Sequence, residues 1–256
     1  MSSKAKTVNT AIMTNSSIEL RLAKAIFYRY SYRNMMNALS ELILKAFYGN
    51  QSFHVVVAAS PKVIINMGIG KSTYALKTLR HVYKDWREAL NNTVFTPQSF
   101  IDRIEEAISK RERIKALCWD DAGFWLNRRY WYDPLVKAVS RLLQVSRPVL
   151  TTCIFTTPTP KELPDSVLDQ CNVYALIGYY DKVKRAARLY KKIQDLIRNK
   201  KRYERFAIDY FIPLLPDDVY REYEEIRRNY VKEGARQTRE AINKAVEELT
   251  ERILAL

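Results

Sequence analysis

Short apolar runs alternate along this chain with stretches in which apolar residues recur every three or four positions. The runs have the length and composition of buried strands, and the spaced stretches are typical of helices that pack one face on a sheet. The runs predict strands at residues 63–65, 93–95, 114–119, 148–157 and 173–177, with an extra strand at 54–59. The spaced stretches predict helices at residues 71–89, 96–110 and 134–144. Strands that alternate with helices predict an α/β fold with a doubly wound, mainly parallel sheet of five strands.

A glycine-containing turn joins the strand predicted at 63–65 to the helix that follows it. Two of the six glycines in the chain lie in this turn, where they permit positive φ and a close backbone approach to a ligand. The turn consists of Asn66, Met67, Gly68, Ile69, Gly70, Lys71, Ser72 and Thr73. A strand, a glycine turn and a helix start form the P-loop, or Walker A motif, that cradles nucleotide phosphates. The strict pattern has glycine where Ile65 stands, so an ordinary glycine turn capped by Ser72 is the alternative.

In the P-loop interpretation, each side chain after the turn has a defined role. Lys71 would reach the β and γ phosphates of ATP, and the Ser72 hydroxyl would coordinate Mg²⁺. A second motif follows 49 residues after Lys71, where the apolar run at 114–119 ends in Asp120 and Asp121. Carboxylates at the end of a buried parallel strand lie where open α/β sheets bind ligands. Asp120 would hold Mg²⁺ through water, and Asp121 would orient or deprotonate the attacking water.

The order of these elements resembles the AAA+ and RecA-like ATPases. In that class a later strand lies between the P-loop strand and the acidic strand and presents a polar sensor residue to the γ-phosphate. Here the strand at 148–157 would be that strand, and Thr156 or Thr157 the sensor. Two ordinary β-branched strand residues are an equal alternative. The composition and motifs also resemble the ATPases of spindle-shaped archaeal viruses and plasmids, which implies a role in viral or plasmid replication.

The same resemblance implies a homo-oligomer, because AAA+ subunits often supply an arginine to their neighbour. Gln170 stands about where that arginine is expected. The remaining candidates are Arg128, Arg129 and Arg147. Each of the three is more simply explained as a solvated surface arginine.

The flanking regions divide the chain into an N-terminal tail and helix at 1–50, a P-loop ATPase core at 51–180 and a basic helical region at 181–256. The N-terminal helix is predicted from Ser17 to Phe47, with interleaved aromatic residues and arginines that favour packing over base stacking. After a proline-containing break at 212–218, helices are predicted near 219–232 and at the C-terminus. The last of these has a short heptad pattern, which favours docking on its own domain over self-association.

Basic residues are concentrated at 182–205, where 11 Lys or Arg side chains accompany 2 acidic ones in a chain of net charge +15. Apolar residues at helical spacing, including Val183, Ala186 and Tyr190, predict an amphipathic basic helix. Such a face favours a nucleic acid, most simply DNA, over a solvated surface or a membrane surface. The candidate contacts are Lys184, Arg185, Arg188, Lys191, Lys192, Lys200, Lys201 and Arg202.

The cysteine spacing and the hydropathy pattern limit which classes of protein remain possible. The three cysteines lack metal-ligand spacing, so no metal cluster is expected. No signal peptide or long apolar run is recognisable, and we expect a protein of the cytoplasm, or of the host cytoplasm if viral, with no membrane partner. Three functions remain: an ATP-hydrolysing protein that acts on DNA, a DNA packaging or transfer motor, and a small-molecule P-loop kinase. The DNA-acting ATPase accounts for the motifs and the basic region together.

Overall fold

The computed structural model describes residues 37–64, 67–195 and 200–254. Its helices are α1 (Ala38–Tyr48), α2 (Lys71–Tyr83), α3 (Trp86–Asn91), α4 (Pro97–Ser109), α5 (Ala122–Trp125), α6 (Pro134–Val145), α7 (Asp165–Leu168) and α8 (Asp217–Leu254). Its strands are β1 (His54–Ala59), β2 (Thr93–Val94), β3 (Leu117–Trp119), β4 (Cys153–Thr156), β5 (Cys171–Tyr179), β6 (Arg185–Asp195) and β7 (Lys200–Phe211). Two 3₁₀ turns, Arg128–Tyr130 and Pro160–Glu162, lie between helices and strands.

One mixed seven-stranded sheet organises the described chain in the order β2-β3-β4-β1-β5-β6-β7. The first five strands of this order are parallel, whereas β6 and β7 pair antiparallel to their neighbours. The prediction of five strands is therefore wrong, because the sheet has seven strands and is mixed, whereas its parallel part does contain five strands. β4 lies between β1 and the acidic strand β3, and this confirms the order that the resemblance implied.

The strand that precedes the P-loop is β1, six consecutive buried residues. The predicted strand at 63–65 is wrong at its described residues, because Val63 and Ile64 belong to the loop after β1. Pairing ends where Ser60 donates its backbone N–H to the Ile177 carbonyl at 2.8 Å. Pro61 follows and has no N–H to continue the ladder.

The described residues of the range 182–205 do not form the predicted basic helix. They belong to an antiparallel hairpin in which β6 and β7 pair from Arg185 opposite Phe211 to Asp195 opposite Lys200. The apolar spacing is compatible with both periods, but Ala187 and Leu189, two residues apart, are buried on the same side of the sheet as α2. Pairing with the edge of β5 satisfies the backbone of β6, and this tertiary contact overrides the helical pattern.

Helices cover both faces of the parallel part of the sheet. α1 and α2 pack on one face against residues such as Val55 and Ile154. α4, α6 and α7 pack on the other face, around the stacked rings of Phe100 and Trp119 at 4.8 Å. Both faces of β1 are therefore buried, and the C-terminal end of this strand supports the loop that follows.

Both chain ends differ from the predicted helices. Asn37 is extended and caps α1 by accepting the Ser40 N–H at 2.8 Å, so the predicted helix does not run unbroken to Phe47. The interleaved aromatic segment before it lies outside the described residues. The two helices predicted after residue 218 form one helix, α8, of 38 residues. None of the described helices combines the length and the apolarity that crossing a membrane requires.

Candidate functional site

The loop between β1 and α2 turns through two glycines with positive φ. Gly68 has φ 68° and Gly70 has φ 101°, and Gly70 is the N-cap of α2. A Cβ at Gly70 would lie 2.9 Å from the Cβ of Pro213, so both the conformation and the space require glycine there. Ile69 between them is buried and anchors the turn, whereas Met67 is exposed. Asn66, a predicted phosphate-binding residue, lies outside the described residues.

Lys71 and Ser72 follow at the first turn of α2, where the backbone N–H groups and the helix dipole favour an anion. Burial lowers the pKa of Lys71, and the nearby carboxylates of Asp121, Asp120 and Glu162 oppose this effect. The Ser72 hydroxyl donates a hydrogen bond of 2.9 Å to Asp120 Oδ1. The structure thus brings the two predicted motifs into direct contact.

Asp120 is almost fully buried and is held by three hydroxyl groups. Besides Ser72, Thr156 donates to Oδ1, and Tyr223 donates to Oδ2 at 2.5 Å. A buried carboxylate is stable only when its oxygens are hydrogen-bonded or bind a cation. Asp120 is therefore preorganised as an anionic oxygen ligand at the first turn of α2.

Asp121, the next residue, has a φ of 52° and is only partly buried, unlike Asp120. Its backbone N–H donates to Thr156 Oγ1 at 2.9 Å, so Thr156 contacts both aspartates. Burial and the adjacent Asp120 raise the pKa of Asp121, while Arg227 and Lys71 counteract the rise. A carboxylate with a raised pKa next to cations has the properties of a general base.

The two sensor candidates have different partners. Thr156 joins the aspartates, whereas Thr157 donates to Glu162 Oε2 at 2.8 Å. A Cβ at Gly123 would lie 2.7 Å from both Thr157 Oγ1 and Glu162 Oε2, so glycine is required for this close approach. Glu162 is a site residue that the sequence analysis missed, because no motif marks the 3₁₀ turn that carries it.

The C-terminal helix α8 contributes two further residues that the sequence analysis missed. Tyr223 is buried and reaches Asp120, and Arg227 Nη2 lies 3.3 Å from Asp121 Oδ2. More than one hundred residues separate these partners along the chain, and no local pattern could have joined them. Arg227 thus occupies a position near the acidic pair for which an arginine from a neighbour had been expected.

None of the three arginines predicted for that role contacts the acidic pair. Arg128 forms an ion pair with Asp165 at 3.2 Å. Arg129 and Arg147 are exposed. All three are exposed, and their role towards a neighbouring subunit stays a prediction.

A cleft of 1020 Å³ lies between the P-loop and α8. Gly68, Lys71 and Ser72 line one wall, and Tyr223 and Arg227 line the other. Ligand sites in proteins have volumes of about 300–1,000 Å³. The cleft is therefore large enough for a nucleoside triphosphate.

The basic residues predicted to contact nucleic acid lie on two faces of the hairpin, because successive strand residues alternate. Arg188, Lys192 and Lys201 share one face, which we call the tyrosine face because Tyr203 and Tyr210 lie on it as well. The opposite face carries Lys191 and Arg202, as the same pairing register shows. The single basic surface expected of a helix is thus divided in two.

Several of these side chains also have local partners. Lys192 Nζ donates to the carbonyls of Leu168 and Asp169 at 2.9 and 3.0 Å, and Lys201 pairs with Asp169 at 2.5 Å. Lys191 forms an ion pair with Glu204 at 3.5 Å, and the Arg185 guanidinium lies 4.4 Å from the centre of the Tyr179 ring. For Lys184 the contact is through the backbone, whose N–H donates to Asp181 Oδ1 at 2.6 Å. The side chain of Lys200 lies outside the described atoms. Arg188 and Arg205, which faces the same side, are the basic groups best placed for an external ligand.

Two relatives come from archaeal viruses. The uncharacterized protein B-251 of Sulfolobus spindle-shape virus 1 is 30% identical over 181 residues, which cover 64% of this chain and 71% of that protein. The chain belongs to the B-251 family. The uncharacterized protein ORF286 of Acidianus two-tailed virus is 30% identical over 166 residues, 63% of this chain and 56% of its own length. This chain thus spans a little over half of ORF286, and the viral origin agrees with the resemblance drawn from the sequence.

Other comparisons add little to the B-251 assignment. No protein-family model matches the chain. Among solved structures, the N-terminal domain of zonular occludens toxin from Neisseria meningitidis aligns with a TM-score of 0.38 and 13% identity, over 66% of this chain and 97% of that one. The assignment of the site therefore depends on the geometry of the chain itself.

Proposed function

We propose that this B-251 family member binds Mg²⁺ and ATP and hydrolyses the nucleotide, as an ATPase of the AAA+-like class with an additional strand. One observation carries the proposal: the P-loop residues Lys71 and Ser72 meet Asp120, Asp121 and Thr156 at one end of the parallel strands. Ligands of open α/β sheets bind at the carboxyl ends of the strands. A structural glycine turn would not require the two motifs to converge.

The donor set suits Mg²⁺, which prefers hydroxyl, carboxylate and phosphate oxygens. Ser72 and Asp120, already 2.9 Å apart, would hold the ion together with the nucleotide phosphates. An ion held there would neutralise charge on the phosphate oxygens. Lys71 would bind the phosphates, and Asp121 would accept the proton of the attacking water. Arg227 lies on the far side of the cleft, where it can meet charge that develops on the transferred phosphoryl group.

We further propose that the enzyme acts on DNA during replication of a viral or plasmid genome, as an initiator or helicase loader, and that it forms a homo-oligomer. Support for a nucleic-acid ligand comes from Arg188 and Arg205 on the tyrosine face and from the net charge of +15. The viral origin of B-251 and ORF286 supports the genomic setting. The kinase alternative loses support, because the element order places β4 between β1 and the acidic strand β3.

Removal of the P-loop cation tests the ATPase proposal. Lys71→Ala should abolish detectable ATP binding and hydrolysis while the unfolding transition stays cooperative, because the variant lacks the cation placed for the β and γ phosphates. Isothermal titration calorimetry and phosphate release measure the two effects. Lys62→Ala, an exposed lysine in the same loop, is the matched control and should behave like the parent. A Lys71→Ala variant that hydrolyses ATP at the parent rate would refute the proposal.

The two faces of the hairpin provide a matched test of nucleic-acid binding. Arg205→Gln, on the tyrosine face, should weaken binding and reduce the log–log salt slope by about 0.9 on duplex DNA or about 0.7 on single strands. Arg202→Gln changes an exposed arginine on the opposite face of the same strand and should leave both quantities unchanged. Equal effects of the two substitutions would mean that the tyrosine face has no special role.

A further inference from the structure

A short segment after the acidic strand exposes three consecutive aromatic side chains. Tyr130, Trp131 and Tyr132 are 54%, 65% and 58% exposed. Contiguous exposed aromatic surface is rare in soluble proteins unless it serves an interaction. These rings belong to neither the P-loop nor the acidic motif, and the proposed ATPase site does not use them.

Hydrogen bonds hold this aromatic segment in place at both ends. Asn127 caps the 3₁₀ turn by accepting the Arg129 N–H at 2.9 Å, and Asp133 caps α6 by accepting the Leu135 N–H at 2.7 Å. The Asp133 N–H in turn donates to the Tyr130 carbonyl at 2.9 Å. The exposure of the rings is therefore built into the fold and is not the result of a loose loop.

A cavity of 570 Å³ opens beside Trp131. Its wall includes Arg128, Lys137 and Arg141 and a single carboxylate, Asp165, which pairs with Arg128. Lys137 and Arg141 lie one helical turn apart on α6, and like charges at that spacing repel each other. Within residues 37–64, 67–195 and 200–254, no ion pair joins either of them to a carboxylate. An anion bound between them would remove that repulsion.

We propose that Trp131 and this cavity bind one nucleotide unit of a single-stranded nucleic acid, with the base stacked on the indole and its phosphate between Lys137 and Arg141. The inference deepens the proposed action on nucleic acid and depends on it for its setting. A planar ring beside two cations fits a base and its phosphate. In a duplex both faces of each base are already stacked and cannot meet an indole, so the ligand is a single strand.

The aromatic segment also connects this cavity to the ATPase cleft. Asn127 lines the larger cleft, and its neighbour Arg128 lines the smaller one. A second connection runs along the chain from Glu162, in the larger cleft, to Pro164 in the smaller. Both walls of the single-strand site are thus continuous with walls of the site where ATP would be hydrolysed.

Fluorescence anisotropy of the full chain with a labelled oligothymidylate tests the proposal. Trp131→Leu should weaken binding by about fivefold to 150-fold, because the loss of base stacking costs affinity in this range. The salt slope should stay unchanged, since stacking displaces no counterions. Conversely, the double substitution Lys137→Gln with Arg141→Gln should weaken binding and also reduce the slope by about 0.7 for each phosphate that is no longer neutralised.

Matched control variants show whether the effect is specific to this cavity. Tyr48→Leu and Arg87→Gln alter an exposed aromatic and an exposed cation on other helices and should bind like the parent. Parent-like binding of the strand by Trp131→Leu would overturn the proposal, whether or not that substitution changes the oligomeric state. If the parent bound free thymidine monophosphate as tightly as the strand, the proposal would also be overturned, in favour of a mononucleotide site. The ATPase proposal fails separately, through Lys71→Ala, which should not affect strand binding at this cavity.

Discussion

The hydroxyl of Tyr223 joins α8 to the acidic pair, and its removal has an effect that can be worked out from the structure. It donates to Asp120 Oδ2 at 2.5 Å, while the ring packs near Phe95 at 5.9 Å between centroids. Burial, together with Asp120, raises the pKa of Tyr223, so the hydroxyl is a donor at any working pH. Tyr223→Phe keeps the ring and removes the bond. A hydrogen bond to a charged group contributes about 1.5–3 kcal/mol, and we expect the free energy of unfolding without nucleotide to fall by that amount.

The same substitution should strengthen nucleotide binding. Asp120 is the carboxylate proposed to hold Mg²⁺, so the Tyr223 hydroxyl and the ion compete for it. Removing the hydroxyl destabilises the free state relative to the bound one by the same free energy. The dissociation constant for ATP with Mg²⁺ should therefore fall by between about tenfold and 150-fold.

Urea denaturation and isothermal titration calorimetry measure the two sides of this balance. Tyr230→Phe is the control, because that ring lies on the same helix and packs on Phe95 and Phe124 instead of contacting the acidic pair. It should change the affinity little. If Tyr223→Phe loses stability while its affinity for ATP with Mg²⁺ stays at the parent value, the hydroxyl does not compete with the ion and the reasoning is refuted.

Three further predictions concern charge. Asp121→Asn should leave ATP binding within a few-fold of the parent while the rate of hydrolysis falls by roughly 10²–10⁴, because a general base acts in the transition state. Calorimetry measures the binding and phosphate release measures the rate. Weakened binding would mean that Asp121 holds the metal. Arg227→Gln should reduce kcat by roughly 10²–10³ with little change in affinity, since its charge meets the developing anion; an unchanged kcat would remove Arg227 from the reaction. Burial lowers the pKa of His54 to about 4, so the unfolded chain binds a proton first as the pH falls below 6.5. The contribution of His54 to the free energy of unfolding is fully present above pH 6.5 and should decrease by about 3 kcal/mol down to pH 4. Denaturation curves measured at a series of pH values would show this, and the pH dependence should be flatter for His54→Asn.

The parts of the site that could be predicted are those encoded by neighbouring residues. A glycine turn before Lys71 and two carboxylates at a strand end are local patterns, and their convergence follows from parallel strand topology. The strand that precedes the P-loop could not be identified as reliably as these motifs, because the runs at 54–59 and 63–65 are both apolar. What separates them is the proline at 61, which ends the ladder, and that signal is present in the sequence.

The hairpin and α8 depended on contacts that no local pattern contains. Residues 185–195 become a strand because β5 offers them an edge. The sequence signal for this was the run at 200–211, whose aromatic residues have high β-propensity. Tyr223 and Arg227 became site residues through the packing of Val219 and Tyr223 on α2 and on Phe95. Such distant contacts are a property of the assembled core and not of any segment.

Beyond its contacts with the P-loop cleft, α8 continues as a long helix. Its described side chains from Thr238 onward are exposed, including the apolar Ile242 and Val246. At 1.5 Å per residue, the 24 steps from Tyr230 to Leu254 extend it by about 36 Å. A rotation of about 10° at the end that holds Tyr223 and Arg227 would move the far tip by about 6 Å, the rise of roughly one helical turn. A change at Asp120 that rotated the helix by this angle would displace whatever the tip contacts.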